Sequence, residues 1–158
     1  MKVIVKHGID LSKIISDINS ARLKVGWGEN QRYDDGTPVA VVAAKNEFGD
    51  AATNTPPRSF MRTSSSEKSE EWKTLMGQGM KTVMNGENST ANVFEMVGLK
   101  VAGDVREKIA TITSPALAPS TIKARIRGRK VGNSTTSTKP LVYTSYMLNS
   151  LTSEVTSK

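Results

Sequence analysis

The stretch STANVFEMVGLKVAGDVREKIATI, Ser89 to Ile112, decides the fold. Phe94, Val97, Val101, Val105, Ile109 and Ile112 recur at steps of three or four, which puts them on one stripe of a helix. Ser89 or Thr90 suits the amino-terminal cap, because a hydroxyl oxygen there accepts an amide that has no partner within the helix. Pro115 ends the pattern. Gly98 and Gly103 interrupt it, each at a cost of up to about 1 kcal/mol relative to alanine. Small side chains on a helix surface also let another backbone come close. A helix of this length needs an apolar partner, and the preceding segment supplies one. Trp72, Leu75, Met76, Met80, Val83 and Met84 give a second stripe, ended near Asn85 and Gly86, with helix expected from about Ser59. Met76, Met80, Met84 and Met96 read as core, in a side chain that also suits adaptable interfaces.

Working outward, Arg22 to Gly28 reads as a strand with Leu23, Val25 and Trp27 on one side. Residues 2–6 are a further short strand, and Leu151 to Val155 alternates as a terminal one. Asp10 is placed to cap a helix with Leu11, Ile14, Ile15 and Ile18 on its apolar face. Pro38 opens a helix over 39–48 that Gly49 closes, although the valines leave a strand as the alternative. Pro119 and Thr121 start a short helix through about Ile126. Thr144 caps a helical turn over 145–149. Segments near 50–57 and 128–139 are loops. The sum is a single α+β domain over 1–158: three or four short strands in a mostly antiparallel sheet, with two longer helices packed over one face.

Composition narrows the chemistry. The 158 residues contain no cysteine and one histidine, His7, so no thiolate or paired-histidine metal site and no cysteine nucleophile can be built. Neither a phosphate-loop nor a nucleophile-elbow string occurs, and no cofactor is expected. Without a long apolar run or a secretory signal, a cytoplasmic product with no membrane partner is expected. The net charge of +7 is uneven: residues 119–158 carry seven Lys/Arg against the single acid Glu154, so +6 lies in the last quarter. Five of those cations, Lys123, Arg125, Arg127, Arg129 and Lys130, fall within eight residues. Such density suits DNA phosphates, an acidic protein surface or a solvated face. Base-stacking aromatics are missing from the run itself. Asp34 and Asp35 precede Gly36 in an ordinary turn rather than a calcium loop. Glu47 is the one tempting acid, but it reads as a helix end with Phe48 anchored in the core and Gly49 reversing the chain. A bidentate Glu47–Arg58 pair is one way for that turn to close.

Two separated stretches carry a resemblance. The first is Asn46-Glu47-Phe48-Gly49 followed by Pro56-Pro57-Arg58-Ser59-Phe60-Met61-Arg62. The second is Leu117-Ala118-Pro119-Ser120-Thr121-Ile122 followed by Lys139-Pro140-Leu141-Val142-Tyr143-Thr144-Ser145-Tyr146-Met147-Leu148-Asn149-Ser150-Leu151. In this order they resemble the virion-morphogenesis proteins of tailed bacteriophages, the tail-completion or neck proteins at the head–tail junction. The resemblance covers roughly residues 40–62 and 117–155. It implies a non-enzymatic virion part, made in the host cytoplasm, that self-associates into a ring with the sixfold symmetry of the tail. Its neighbours would be the head-closure protein, the tail terminator and the tail tube, with genomic DNA passing through. It assigns Glu47, Phe48, Gly49 and Arg58 to a structural turn. Phe60, Arg62 and the basic run are the expected interface or DNA-facing residues. A tail terminator is the sister reading; a basic DNA-binding protein acting through residues 119–139 is the rival of another class. Two positions depart from the family pattern: Ser59 stands where a proline is usual, and Ser145 where a glycine is. A left-handed turn costs serine more than glycine, so regular helix is expected at 145.

Overall fold

The computed structural model describes residues 10–129 and 137–157. The strand expected at 2–6, His7, Lys130, the side chain of Arg129 and most of the 128–139 loop lie outside the described residues.

The chain is α+β. Helix α1 (Leu11–Ser20) leads into strand β1 (Ala21–Gly26), then α2 (Val39–Phe48), α3 (Met61–Met84), α4 (Thr90–Thr111), α5 (Pro119–Arg129), α6 (Tyr146–Asn149) and strand β2 (Thr152–Ser157). Among the described residues the sheet has two strands rather than the expected three or four. β1 and β2 pair antiparallel, with Leu23 opposite Val155 and Val25 opposite Ser153.

Helix α4 is the centre of the molecule: it packs against both strands, against α3 and against α6. Ser89 caps it, its hydroxyl accepting from the Asn92 amide. Because α4 is covered on more than one side, its buried set is wider than one stripe. Val93 and Ala102 join Val97, Val105 and Ile109 in the interior, while Phe94 and Val101 are only half-buried. Close approach explains the glycines. A side-chain carbon at Gly98 would lie 2.7 Å from Leu23 Cδ1 and 2.9 Å from Ser153 Cβ, so only a bare backbone lets α4 sit on the sheet. Gly79 does the same for Val93 between α3 and α4, whereas Gly103 faces open space.

The interior is built from Val39, Ala43, Phe60, Ala102, Val105, Ile109, Leu141, Met147 and Leu151. Trp27 stands edge-on to Phe60, with centroids 5.9 Å apart, and its indole N–H donates to the Met147 carbonyl at 2.8 Å. A polar seam also ties α3 to α4. Buried Asp104 accepts from Trp72 Nε1 at 2.7 Å and from Lys100 at 2.7 Å, and Lys100 reaches Glu71 at 2.8 Å. Burial pulls the Asp104 carboxyl up, but Lys100 and Trp72 outweigh it and hold it below the usual aspartate value.

Two expectations about apolar faces are corrected. Asp10 caps α1 as expected, yet α1 buries no residue, and Ile15 and Ile18 are exposed, because only its edge meets α3 and α4. Met84 and Met96 are exposed rather than core, since they lie on the outer faces of their helices; Met76 and Met80 are half-buried.

Candidate functional site

The two stretches singled out in the sequence are about 60 residues apart and meet in space. Helix α2 supplies the first half. Val39, Ala43 and Glu47 follow at i, i+4 and i+8, so one face of α2 carries all three inward. The Glu47 carboxylate arrives at the start of α3, where helix amides lack internal acceptors. Oε2 accepts from the amides of Phe60 at 2.8 Å and Met61 at 2.9 Å. Oε1 accepts from the Arg62 amide at 3.1 Å and from Arg62 Nε at 2.9 Å. Arg62 also donates to the Glu47 carbonyl at 2.9 Å, as does the Ser59 hydroxyl at 3.1 Å. A glutamate from a different helix thus caps α3, with the helix dipole adding to the attraction. Burial raises the Glu47 carboxyl, but Arg62 and the three amides outweigh that and hold it below its ordinary value. Each oxygen of this carboxylate thus accepts two donors from the start of α3.

Gly49 then turns the chain at φ 82°. A side-chain carbon there would come within 3.1 Å of Pro57 and the Thr55 carbonyl. The 50–57 segment, expected as a loop, closes on itself through reciprocal Asp50–Thr55 amide–carbonyl bonds of 2.9 Å.

Three placements differ from expectation. Phe48 is 66% exposed, not anchored in the core; the inward position belongs to Glu47, and Phe48 turns outward beneath the Arg62 guanidinium, 4.8 Å from the ring centroid. Phe60, expected at an interface, is fully buried against Trp27. Arg58 does not pair with Glu47, whose partner is Arg62. Instead Arg58 is buried and donates from Nε to the Pro115 carbonyl at 2.7 Å and from Nη2 to the Ala116 carbonyl at 3.1 Å.

Arg58 therefore ties the first stretch to the threshold of the second, and Arg125 ties the second to itself. From α5, Arg125 donates to the carbonyls of Ser137 (2.8 Å), Lys139 (2.8 Å) and Pro140 (3.1 Å), and lies over the Tyr143 ring at 4.8 Å. The basic run is thus divided. Arg125 is engaged inside the chain, whereas Lys123 and Arg127 are exposed. Burial lowers the pKa of both Arg58 and Arg125; at Arg125 Tyr143 opposes this, and the charge of Arg58 adds a smaller lowering.

At residue 145 the expectation of regular helix fails. Ser145 has φ 59°, ψ 2°, in the left-handed region, and α6 starts one residue later. The Tyr146 amide donates to the Thr144 hydroxyl at 3.3 Å, which caps the turn in a different way from a regular helix start.

Between these elements lies an open cleft of about 850 Å³. Its walls come from both stretches: Asn46, Arg58, Thr121, Arg125, Leu141 and Tyr146 face it among others. Among the described residues, no cluster of three or more His, Cys, Asp or Glu is placed to hold a metal ion, and no helix is long and apolar enough to cross a membrane. Comparison with protein-family models, with curated proteins and with solved structures finds no match.

Proposed function

We propose that this chain is a non-enzymatic virion component of a tailed phage, one that completes the tail or joins head to tail by assembling with copies of itself. The observation that carries the reading is the convergence of the two resembling stretches. Arg58 of the first stretch bonds Pro115 and Ala116 at the threshold of the second, and described residues of both stretches line one cleft with Arg58 and Arg125, as two halves of a single motif would. Ser145 adds support: the position where the resembling family has glycine holds the left-handed backbone that glycine favours. Large apolar side chains left at the surface, Phe48, Leu99, Met84, Val41 and Ile15, suit a subunit that completes its burial against neighbours. A closed ring buries such a surface on every copy.

The tail terminator is the sister reading. The DNA-binding alternative retains exposed Lys123 and Arg127, but Arg125, at the centre of the run, is committed to three backbone carbonyls. Sedimentation and electron micrographs of the full chain at rising concentration test the proposal. Closed rings are the expected result; a monomer at every concentration, with salt-dependent capture of duplex DNA, would favour the rival.

A further inference from the structure

The cleft holds positive charge that the fold does not neutralise. Arg58 is 5% exposed, and Arg125 is half-buried beside it. Among the described residues neither guanidinium has a carboxylate within ion-pairing distance; their hydrogen bonds go to backbone carbonyls, and Arg125 also lies over the Tyr143 ring. A guanidinium offers five N–H groups in a planar fork, and the carbonyls account for only part of each. The two acids bordering the cleft are engaged elsewhere: Asp50 meets Lys45 at 2.8 Å, and Asp35 accepts from the Thr37 amide at 2.9 Å in its own turn. A buried cation with a second, half-buried one beside it is costly to keep without an anion.

The shape of the site selects among anions. Its walls are largely apolar and backbone, from Val42, Pro56, Leu117, Leu141 and Met147, with the tyrosines 33 and 146 in edge contact, centroids 5.3 Å apart. A duplex carries its phosphates on the outside of a rod and meets exposed cations such as Lys123 and Arg127. Arg58, 5% exposed, is approached only through the cleft, which is no fit for such a rod. An extended peptide does fit, and a cleft of about 850 Å³ is within the range that encloses a short ligand.

We propose that this cleft receives a short, extended acidic segment of a partner polypeptide, with one carboxylate of that segment seated against Arg58 and Arg125. The inference stands whether or not the chain works at a phage neck, because it rests on the cleft alone. The test uses the full chain and two libraries of acetylated, amidated hexapeptides, randomised except for a fixed central Glu in one and Gln in the other. Retention at least tenfold greater on the Glu library is expected. Thr121→Glu, a surface change on the cleft wall, should bring retention down to the Gln level, while Lys123→Gln with Arg127→Gln leaves it within twofold. Equal retention on both libraries overturns the proposal. So does loss of retention in the Lys123/Arg127 variant, or displacement of the peptides by a duplex oligonucleotide, which would assign the positive charge to nucleic acid.

Discussion

Two charged centres lie on either side of Arg58 and differ in how their charge is met. Glu47 is an anion saturated from every direction: three amides of α3 and the Arg62 guanidinium fill its two oxygens. Arg58 and Arg125 are cations that donate to neutral carbonyls, Arg125 also lying over the Tyr143 ring, and they retain unbalanced charge beside a cleft. The first arrangement is a finished joint, in which each group completes the other. The second is held in place by the fold but leaves capacity for a partner. A buried ion whose partners are complete contributes order; one met only by neutral groups keeps its charge at the cleft.

That contrast can be broken at its strongest point first. Glu47→Ala leaves the Phe60, Met61 and Arg62 amides without their acceptor and releases the exposed Arg62 guanidinium; it should cost about 3 kcal/mol, the upper end for orphaned buried donors, read as a lowered denaturant midpoint with unchanged slope. An effect under about 1 kcal/mol would mean that the carboxylate is not the joint described. Acid should act through the same residue. The folded pKa values of Glu47 and Asp104 are depressed, so their contribution is complete above the unfolded carboxylate range, about pH 4, and is lost as pH falls through the folded values. Thermal midpoints should be level from pH 7 to about 5 and fall below 4, and Glu47→Gln should remove part of that fall. A fall of undiminished size in the glutamine variant would place the acid sensitivity elsewhere.

Arg58→Met sharpens the comparison. It releases two carbonyls but also removes an unneutralised buried cation, so the loss should be only about 1–2 kcal/mol, clearly smaller than for Glu47→Ala. Equal losses would erase the distinction between the two centres. The smallest effect is expected at Ser145→Gly, where relief of the left-handed backbone should stabilise the chain by up to about 1 kcal/mol, measured by the same denaturation. Destabilisation there would show that the serine side chain, rather than the backbone, sets the turn.

The parts of this molecule legible in the sequence are those governed by local repetition. The periods of α3 and α4, the Ser89 and Asp10 caps and the glycine at 49 all follow from spacing within a few residues. Gly98 was readable as a close-approach position, although Leu23 and Ser153 as the approaching groups were not. Side-chain type misleads where it competes with spacing. Phe48 was expected inside because it is aromatic, yet Val39, Ala43 and Glu47 share one face, and Phe48 falls outside it with Val41. The same spacing rule, applied without regard to charge, identifies Glu47 as the inward residue. Arg58 and Arg125 were harder. Their acceptors are backbone carbonyls in distant or irregular segments, which no residue identity announces. At Ser145 a local conformational cost was outweighed by tertiary placement of the segment between Leu141 and Met147, both buried.

The proposed role at a phage neck is tested most directly by deleting the gene for this chain and imaging the particles that its genome produces. The account predicts filled heads beside separate tails, with infectivity restored when the purified chain is added back. Joined, infectious particles that lack it would contradict the account.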